Sequence, residues 1–224
     1  MQLHVETLFT LDPLGRLLRV NDAEGSIAPR FFLGRTVGCN QCWFRHDVVP
    51  DLVAALGVAA SNEAAAAAAD PPHGAVPYET LLARYAPIER TWAGPAYTFR
   101  LGPDLRGATV RIDCTNADLL KRHLPEWAAD SESSQPMVAS LDDGVAVAVC
   151  CSVRIGPRAH EAGVETAVGF RGRGHGMRVV AAWAAAVRDL GRVPLYSTSW
   201  ANAESRAVAA RLRLVQFGMD LHIR

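Results

Sequence analysis

Apolar and polar positions alternate over residues 3–9 and 17–20, which predicts two strands, with Asp12, Pro13 and Gly15 forming the turn between them. The apolar runs at 30–38 and 42–49 predict further short strands. Leu52, Val53 and Leu56 repeat at helical spacing behind Pro50, so residues 51–60 read as a helix opened by proline. The alanine run within 61–74 has no apolar face, and Pro71 and Pro72 stop it; this segment reads as a frayed helix passing into a linker. Residues 78–85 predict another short helix. The pattern changes at Gly94 and Pro95, which places a domain boundary there. Residues 1–95 are then an N-terminal α/β extension, and residues 96–224 the main domain.

In that second part, 96–101 and 109–113 predict strands, and the stretch after Thr115 predicts a capped helix with Asp118 three residues on. Three strands follow at 137–141, 145–155 and 160–168, the first two joined by a hairpin through Asp143 and Gly144. Val180, Trp183, Val187 and Leu190 then give one apolar helical stripe that Gly191 ends. A strand at 193–200, a helix at 202–212 and a final strand close the chain.

Composition narrows the class. The 224 residues are half hydrophobic, with 23 basic and 23 acidic side chains and no net charge. That balance argues against a nucleic-acid partner, which calls for a basic stripe. No apolar stretch is long enough to span a membrane, and the N-terminus has no leader pattern, so a cytoplasmic protein is expected. Lys121 is the one lysine, a bias towards arginine that fits a GC-rich bacterial genome. Five cysteines do not suggest a disulfide framework, and Cys39-x-x-Cys42 with His46 lacks the second ligand pair of a zinc site; no metal is expected.

The chemistry concentrates at 169–176, "GFRGRGHG", between a strand and the apolar helix. Glycine is costly inside a helix. At a helix start it lets an anion approach free N–H groups that carry partial positive charge. A phosphate cradle and a plain glycine turn with surface arginines both satisfy this pattern. A P-loop is excluded, because Met177 and Arg178 follow Gly176 where Lys and Ser or Thr are needed. The spacing of Gly172, Gly174 and Gly176 also differs from the dinucleotide fingerprint.

Arg171-x-x-Gly174-x-Gly176 resembles the Q/R-x-x-G-x-G/A signature of the GNAT acyltransferase superfamily, and the order of elements over 96–224 is similar as well. The resemblance implies an α/β (α+β) fold with a mixed, mostly antiparallel sheet flanked by helices, splayed between the strand ending at Val168 and the strand at 193–200. It implies an N-acetyltransferase that moves an acetyl group from acetyl-CoA directly to an amine. The main chain of Arg171, Gly172, Arg173, Gly174, His175 and Gly176 would hold the pyrophosphate. Thr166, Ala167 and Val168 would lie beside the pantetheine arm, and Asn202 and Ser205 would touch the cofactor from the other side.

Acetyl transfer needs a base for the amine, a donor for the oxyanion and a proton for the leaving thiolate. Glu161 and Glu165 share a strand face, and Glu161 lies where the superfamily often carries its base; a pair of solvated strand carboxylates explains them equally well. A main-chain N–H near Val168 would meet the oxyanion. The tyrosine that often protonates the thiolate is replaced by Ala209, and a usual glycine by Arg213, leaving Tyr196, Ser199 or water as the acid. Trp43, Phe44, Tyr97 and Trp200 are candidates for an acceptor pocket. The acceptor is expected to be a small-molecule or peptide amine, and residues 1–95 to shape its pocket or form a homodimer contact. The rival readings are a non-catalytic acyl-CoA-binding module and an interaction protein whose glycine turn is only structural.

Overall fold

The computed structural model describes residues 1–64, 74–100 and 109–224. The chain opens with helix α1, Gln2–Leu8, then a ribbon of β1, Phe9–Leu11, and β2, Leu17–Val20. The expected first strand is thus a helix. Its buried positions, His4, Val5, Thr7 and Leu8, follow a helical stripe, and the polar–apolar alternation masked it. Strands β3, Phe31–Arg35, and β4, Asn40–Phe44, form a hairpin, followed by α2, Pro50–Asn62, and α3, Val76–Ala83. The expected linker between these helices lies mostly outside the described residues.

Strand β5, Thr91–Thr98, and β6, Thr109–Ile112, come next. The expected helix after Thr115 breaks into a 3-10 turn, Ala117–Leu120, and a short helix α4, Pro125–Ala129. Thr115 does not cap it: its hydroxyl donates to Asp113 at 2.6 Å, and Pro125 opens the second piece. The remaining elements are β7, Met137–Asp142; β8, Val145–Ile155; β9, Ala159–Thr166; α5, His175–Asp189; β10, Val193–Ser197; α6, Ala203–Arg211; and β11, Val215–Ile223. The hairpin between β7 and β8 turns where expected, with Asp143 and Gly144 both at positive φ.

Nine strands form one sheet in the order β4-β3-β11-β5-β10-β9-β8-β7-β6. Every neighbouring pair is antiparallel except β10 with β9. Gly94 and Pro95, where the sequence pattern breaks, lie inside β5. A Cβ on Gly94 would sit 1.8 Å from the Thr198 carbonyl, so glycine is what lets β5 and the end of β10 meet. The sheet therefore runs unbroken across residue 95, and β3 and β4 extend it beyond β11.

Helix α5 covers one face of the sheet with Val179, Val180, Trp183 and Val187, all fully buried. Each such side chain contributes roughly 1.5–3 kcal/mol by leaving water. Leu190, expected in this stripe, is more than half exposed, because the helix ends at Asp189 and Gly191 turns the chain at φ 71°. Helices α2 and α3 cover β3 and β11 on that same side through Phe31, Leu33, Leu56 and Leu221. Helix α1, the β1–β2 ribbon and α4 lie on the opposite face.

The feature that positions the site is a fork. Strands β9 and β10 pair over three positions only, the last being Leu195 with Glu161. Beyond it β10 keeps only β5, with which it already pairs at Leu195, while β9 runs on to Thr166 against β8 alone. The splay expected between these strands is present. Strand β9, expected to reach Val168, stops at Thr166, and Val168–Phe170 forms a single 3-10 turn.

Candidate active site

The glycine segment bridges the open arm of the fork and α5. Gly172 and Gly174 have φ of 77° and 82°, a region that side chains other than glycine rarely adopt. Gly174 is the residue before the first helical turn, and no side chain caps that turn, so the first N–H groups of α5 remain for another acceptor. Gly176 serves differently. A Cβ there would lie 3.1 Å from the Thr166 hydroxyl, so this glycine lets α5 start against the end of β9.

Arg171 clamps the turn from outside: its Nε donates to the Thr166 carbonyl and Nη1 to Glu204, both at 3.2 Å. Arg173 lies over the Phe170 ring. The His175 ring is buried beneath the turn, with Nδ1 2.9 Å from the Ser140 hydroxyl and 3.3 Å from Arg178. Burial, helped by Arg178, holds its pKa below the usual value. The ring is then a neutral anchor, and the backbone is what it presents to the turn.

A groove of about 460 Å³ runs from this turn along the open half of β9, lined by Glu165, Thr166, Gly174, Asn202 and Ser205. Asn202 caps α6, its amide oxygen accepting from Ser205 N–H at 2.9 Å. Ser205 in turn binds Tyr196 Oη at 2.5 Å. Burial pushes the Tyr196 hydroxyl up to about 12, so this tyrosine ties β10 to α6 and is a poor proton donor. Ala209, which the sequence resemblance sets where a tyrosine is expected, is buried between α5 and α6. Arg213, where the resemblance expects a glycine, has φ 52°, a conformation that glycine would favour.

The two candidate carboxylates part company. Glu165 is exposed at the groove, and its Oε2 accepts from Trp127 Nε1 at 2.5 Å. Glu161 sits at the apex of the fork, 3% exposed, and lines a second cavity of about 330 Å³ on the α1 side of the sheet. Behind it lies a buried charge chain that the sequence did not disclose. His4 Nδ1 is 3.5 Å from Glu161, and His4 Nε2 is 2.9 Å from Asp220, which also accepts from His222 Nε2 at 3.1 Å. Burial disfavours the His4 charge, but Asp220 and Glu161 outweigh it and raise its pKa to about 10. Asp220 is buried too, yet the two histidines hold it well below the usual carboxylate range.

Of the aromatic candidates for an acceptor pocket, Trp43, Phe44 and Tyr97 pack into cores instead. Phe9, Trp92 and His222 line the second cavity in their place. The signal for His222 and Asp220 was their two-residue spacing in the mostly apolar last strand, which puts both on one face. Among the described residues, no group of three or more His, Cys, Asp or Glu could hold a metal ion, and all five cysteines are free. Among the described residues, no helix is long and apolar enough to cross a membrane.

A mixed sheet forked at one parallel pair, with a glycine turn and helix start at the open arm, matches known structures. The chain has the GNAT fold. A GCN5-related N-acetyltransferase from Sphaerobacter thermophilus superposes with a TM-score of 0.51 over 92% of this chain and 79% of its own, at 12% identity. A GCN5-related N-acetyltransferase-like protein from Streptococcus suis gives 0.50 over 88% and 85%, at 16% identity. A protein placed in the GNAT family from Novosphingobium aromaticivorans gives 0.50 over 61% of this chain, which spans 65% of that protein's length, at 19% identity. No protein-family model and no curated protein sequence matches the chain. The GNAT fold thus extends the likeness beyond the signature into the N-terminal part, since two of these superpositions span nearly the whole chain.

Proposed function

We propose that the protein is an acetyl-CoA-dependent N-acetyltransferase. One observation carries the reading: the fork at Glu161 separates a groove that ends on a phosphate-type turn from a second cavity on the other side of the sheet. In this reading the pyrophosphate lies on the first turn of α5 between Arg171 and Gly176, where free N–H groups and the helix field favour an anion. The pantetheine arm lies along β9 beside Thr166, flanked by Asn202 and Ser205, and brings the thioester to the apex. The acceptor amine enters from the second cavity.

Glu161 takes a proton from the amine, directly or through a water. The nitrogen lone pair then forms the N–C bond at the thioester carbonyl, the C–S bond breaks, and coenzyme A leaves as a thiolate; the proton that the acylated nitrogen still carries passes through water to that thiolate. Main-chain N–H groups of β9 at the fork, nearer the apex than Val168, stabilise the oxyanion. Glu165 stays bound to Trp127 and takes no part in proton transfer.

The test is release of free thiol from acetyl-CoA against a panel of amines. A positioned base contributes roughly 10²–10⁴-fold. Glu161→Gln is expected to lower kcat within that range and leave acetyl-CoA affinity nearly unchanged, whereas Glu165→Gln changes kcat little. Full activity of Glu161→Gln on the true acceptor removes Glu161 from the role.

A further inference from the structure

The second cavity has a chemistry of its own, and its assignment as the acceptor site rests on the transferase reading. Its wall carries three arginines, Arg90, Arg154 and Arg224, against one carboxylate, Glu161. Arg154 on β8 is the cross-strand partner of Glu161 on β9. Arg154 has an outside counter-ion in Asp22, 3.6 Å away.

The state of Glu161 points to a ligand independently of the arginines. It is 97% buried, yet among the described residues neither carboxylate oxygen has a hydrogen-bond partner, and the nearest cation, His4, stands back at 3.5 Å. A buried carboxylate left in that state is costly unless a donor reaches it. The cavity it lines is open to such a donor. Ring surfaces line the same cavity, with Trp92 and His222 tilted against each other at 4.7 Å and Phe9 edge-on to His222 at 5.7 Å. The volume, about 330 Å³, suits a small molecule.

We propose that the acceptor is a small primary amine that also carries an anionic group, a carboxylate or a phosphate. Its nitrogen lies at Glu161 and its anion among Arg90, Arg154 and Arg224. The arginine fork matches either anion with two parallel hydrogen bonds, so one chemistry serves both sources. The apolar rings hold the carbon skeleton between the two charged ends. Fixing the anion there aims the amine at the apex, where β9 and β10 part.

The test measures binding apart from turnover. The full chain saturated with coenzyme A is titrated with matched probes by ligand-observed NMR. In the carboxylate arm, L-phenylalanine, β-alanine and 4-aminobutyrate are each compared with their methyl esters. In the phosphate arm, O-phosphoethanolamine is compared with ethanolamine. At least one anionic probe is expected to bind roughly tenfold or more tightly than its neutral partner. Arg154→Gln and Arg224→Gln should erase that difference, and Arg90→Gln, at an exposed position, should weaken it in a chain whose folding is not in question. The arm that shows the preference identifies the anion. Neutral probes binding as well as anionic ones in both arms, no probe binding, or a preference that survives all three substitutions would overturn the proposal. A separate titration with acetyl-CoA keeps the two readings apart: if the donor fails to bind while anionic amines still do, the transferase reading falls and the anion site stands.

Discussion

Replacing His4 with glutamine removes the one cation placed between two buried carboxylates, Glu161 and Asp220. Asp220 keeps His222 at 3.1 Å, but Glu161 keeps nothing at that range from α1. Breaking a buried pair from one side costs about 3–5 kcal/mol. The titration of His4 leads to a similar figure. Its pKa rises from 6.5 to about 10 on folding, and each unit is worth about 1.4 kcal/mol, so the full effect is on the order of 5 kcal/mol. The sign is set by the direction of the shift. The folded state holds this proton more tightly than the unfolded chain, so the stabilisation is complete below about pH 6.5 and fades as pH rises towards 10. Asp220 works in the other direction: its pKa is lowered, so its contribution is present at neutral pH and lost as acid protonates it. Denaturant midpoints of wild type and His4→Gln, taken at pH 6, 8 and 10, check this. The gap should be widest at pH 6 and close towards pH 10. A gap below about 1 kcal/mol at pH 6, or one that stays constant across the range, refutes the charge chain.

Arg213 adopts a left-handed conformation that costs a side chain about 1 kcal/mol relative to glycine, so Arg213→Gly should raise the melting temperature by a few degrees; an unchanged or lower value counts against strain at that turn. Tyr196→Phe removes a hydroxyl bonded to Ser205 and should cost about 1 kcal/mol of stability without moving kcat or the alkaline limb of the rate profile. A large loss of kcat in a stable Tyr196→Phe protein would make that tyrosine the thiolate's acid after all.

What the sequence disclosed was what short-range chemistry dictates. Gly172 and Gly174 announce positive φ, Gly176 announces close approach, and the stripe of Val180, Trp183 and Val187 announces the helix behind them. Together they point to the segment that lines the groove of about 460 Å³, which Asn202 and Ser205 also line. Hidden were the contacts that depend on distant strands. The partner of Glu161 is His4, 157 positions earlier, on a helix whose alternating pattern reads as a strand. Arg90, Trp92 and His222 reach the same cavity only because β5 inserts between β10 and β11, and no local pattern marks that insertion. Gly94 and Pro95 misled for a related reason: a break in composition marks a strand crossing so close that a side chain has no room.

The central claim is that the turn from Arg171 to Gly176 holds the diphosphate of acetyl-CoA. Calorimetric titration of acetyl-CoA into wild type and Gly174→Asp measures it most directly. Aspartate tolerates the left-handed backbone of Gly174 better than most residues, so the fold should survive. A carboxylate about 4 Å from a phosphate charge costs about 4 kcal/mol near a protein surface. The expected result is one-to-one binding by wild type and affinity reduced by at least tenfold in the variant, with both proteins folded by circular dichroism. No binding by wild type, or equal affinity in a folded Gly174→Asp protein, would contradict the claim.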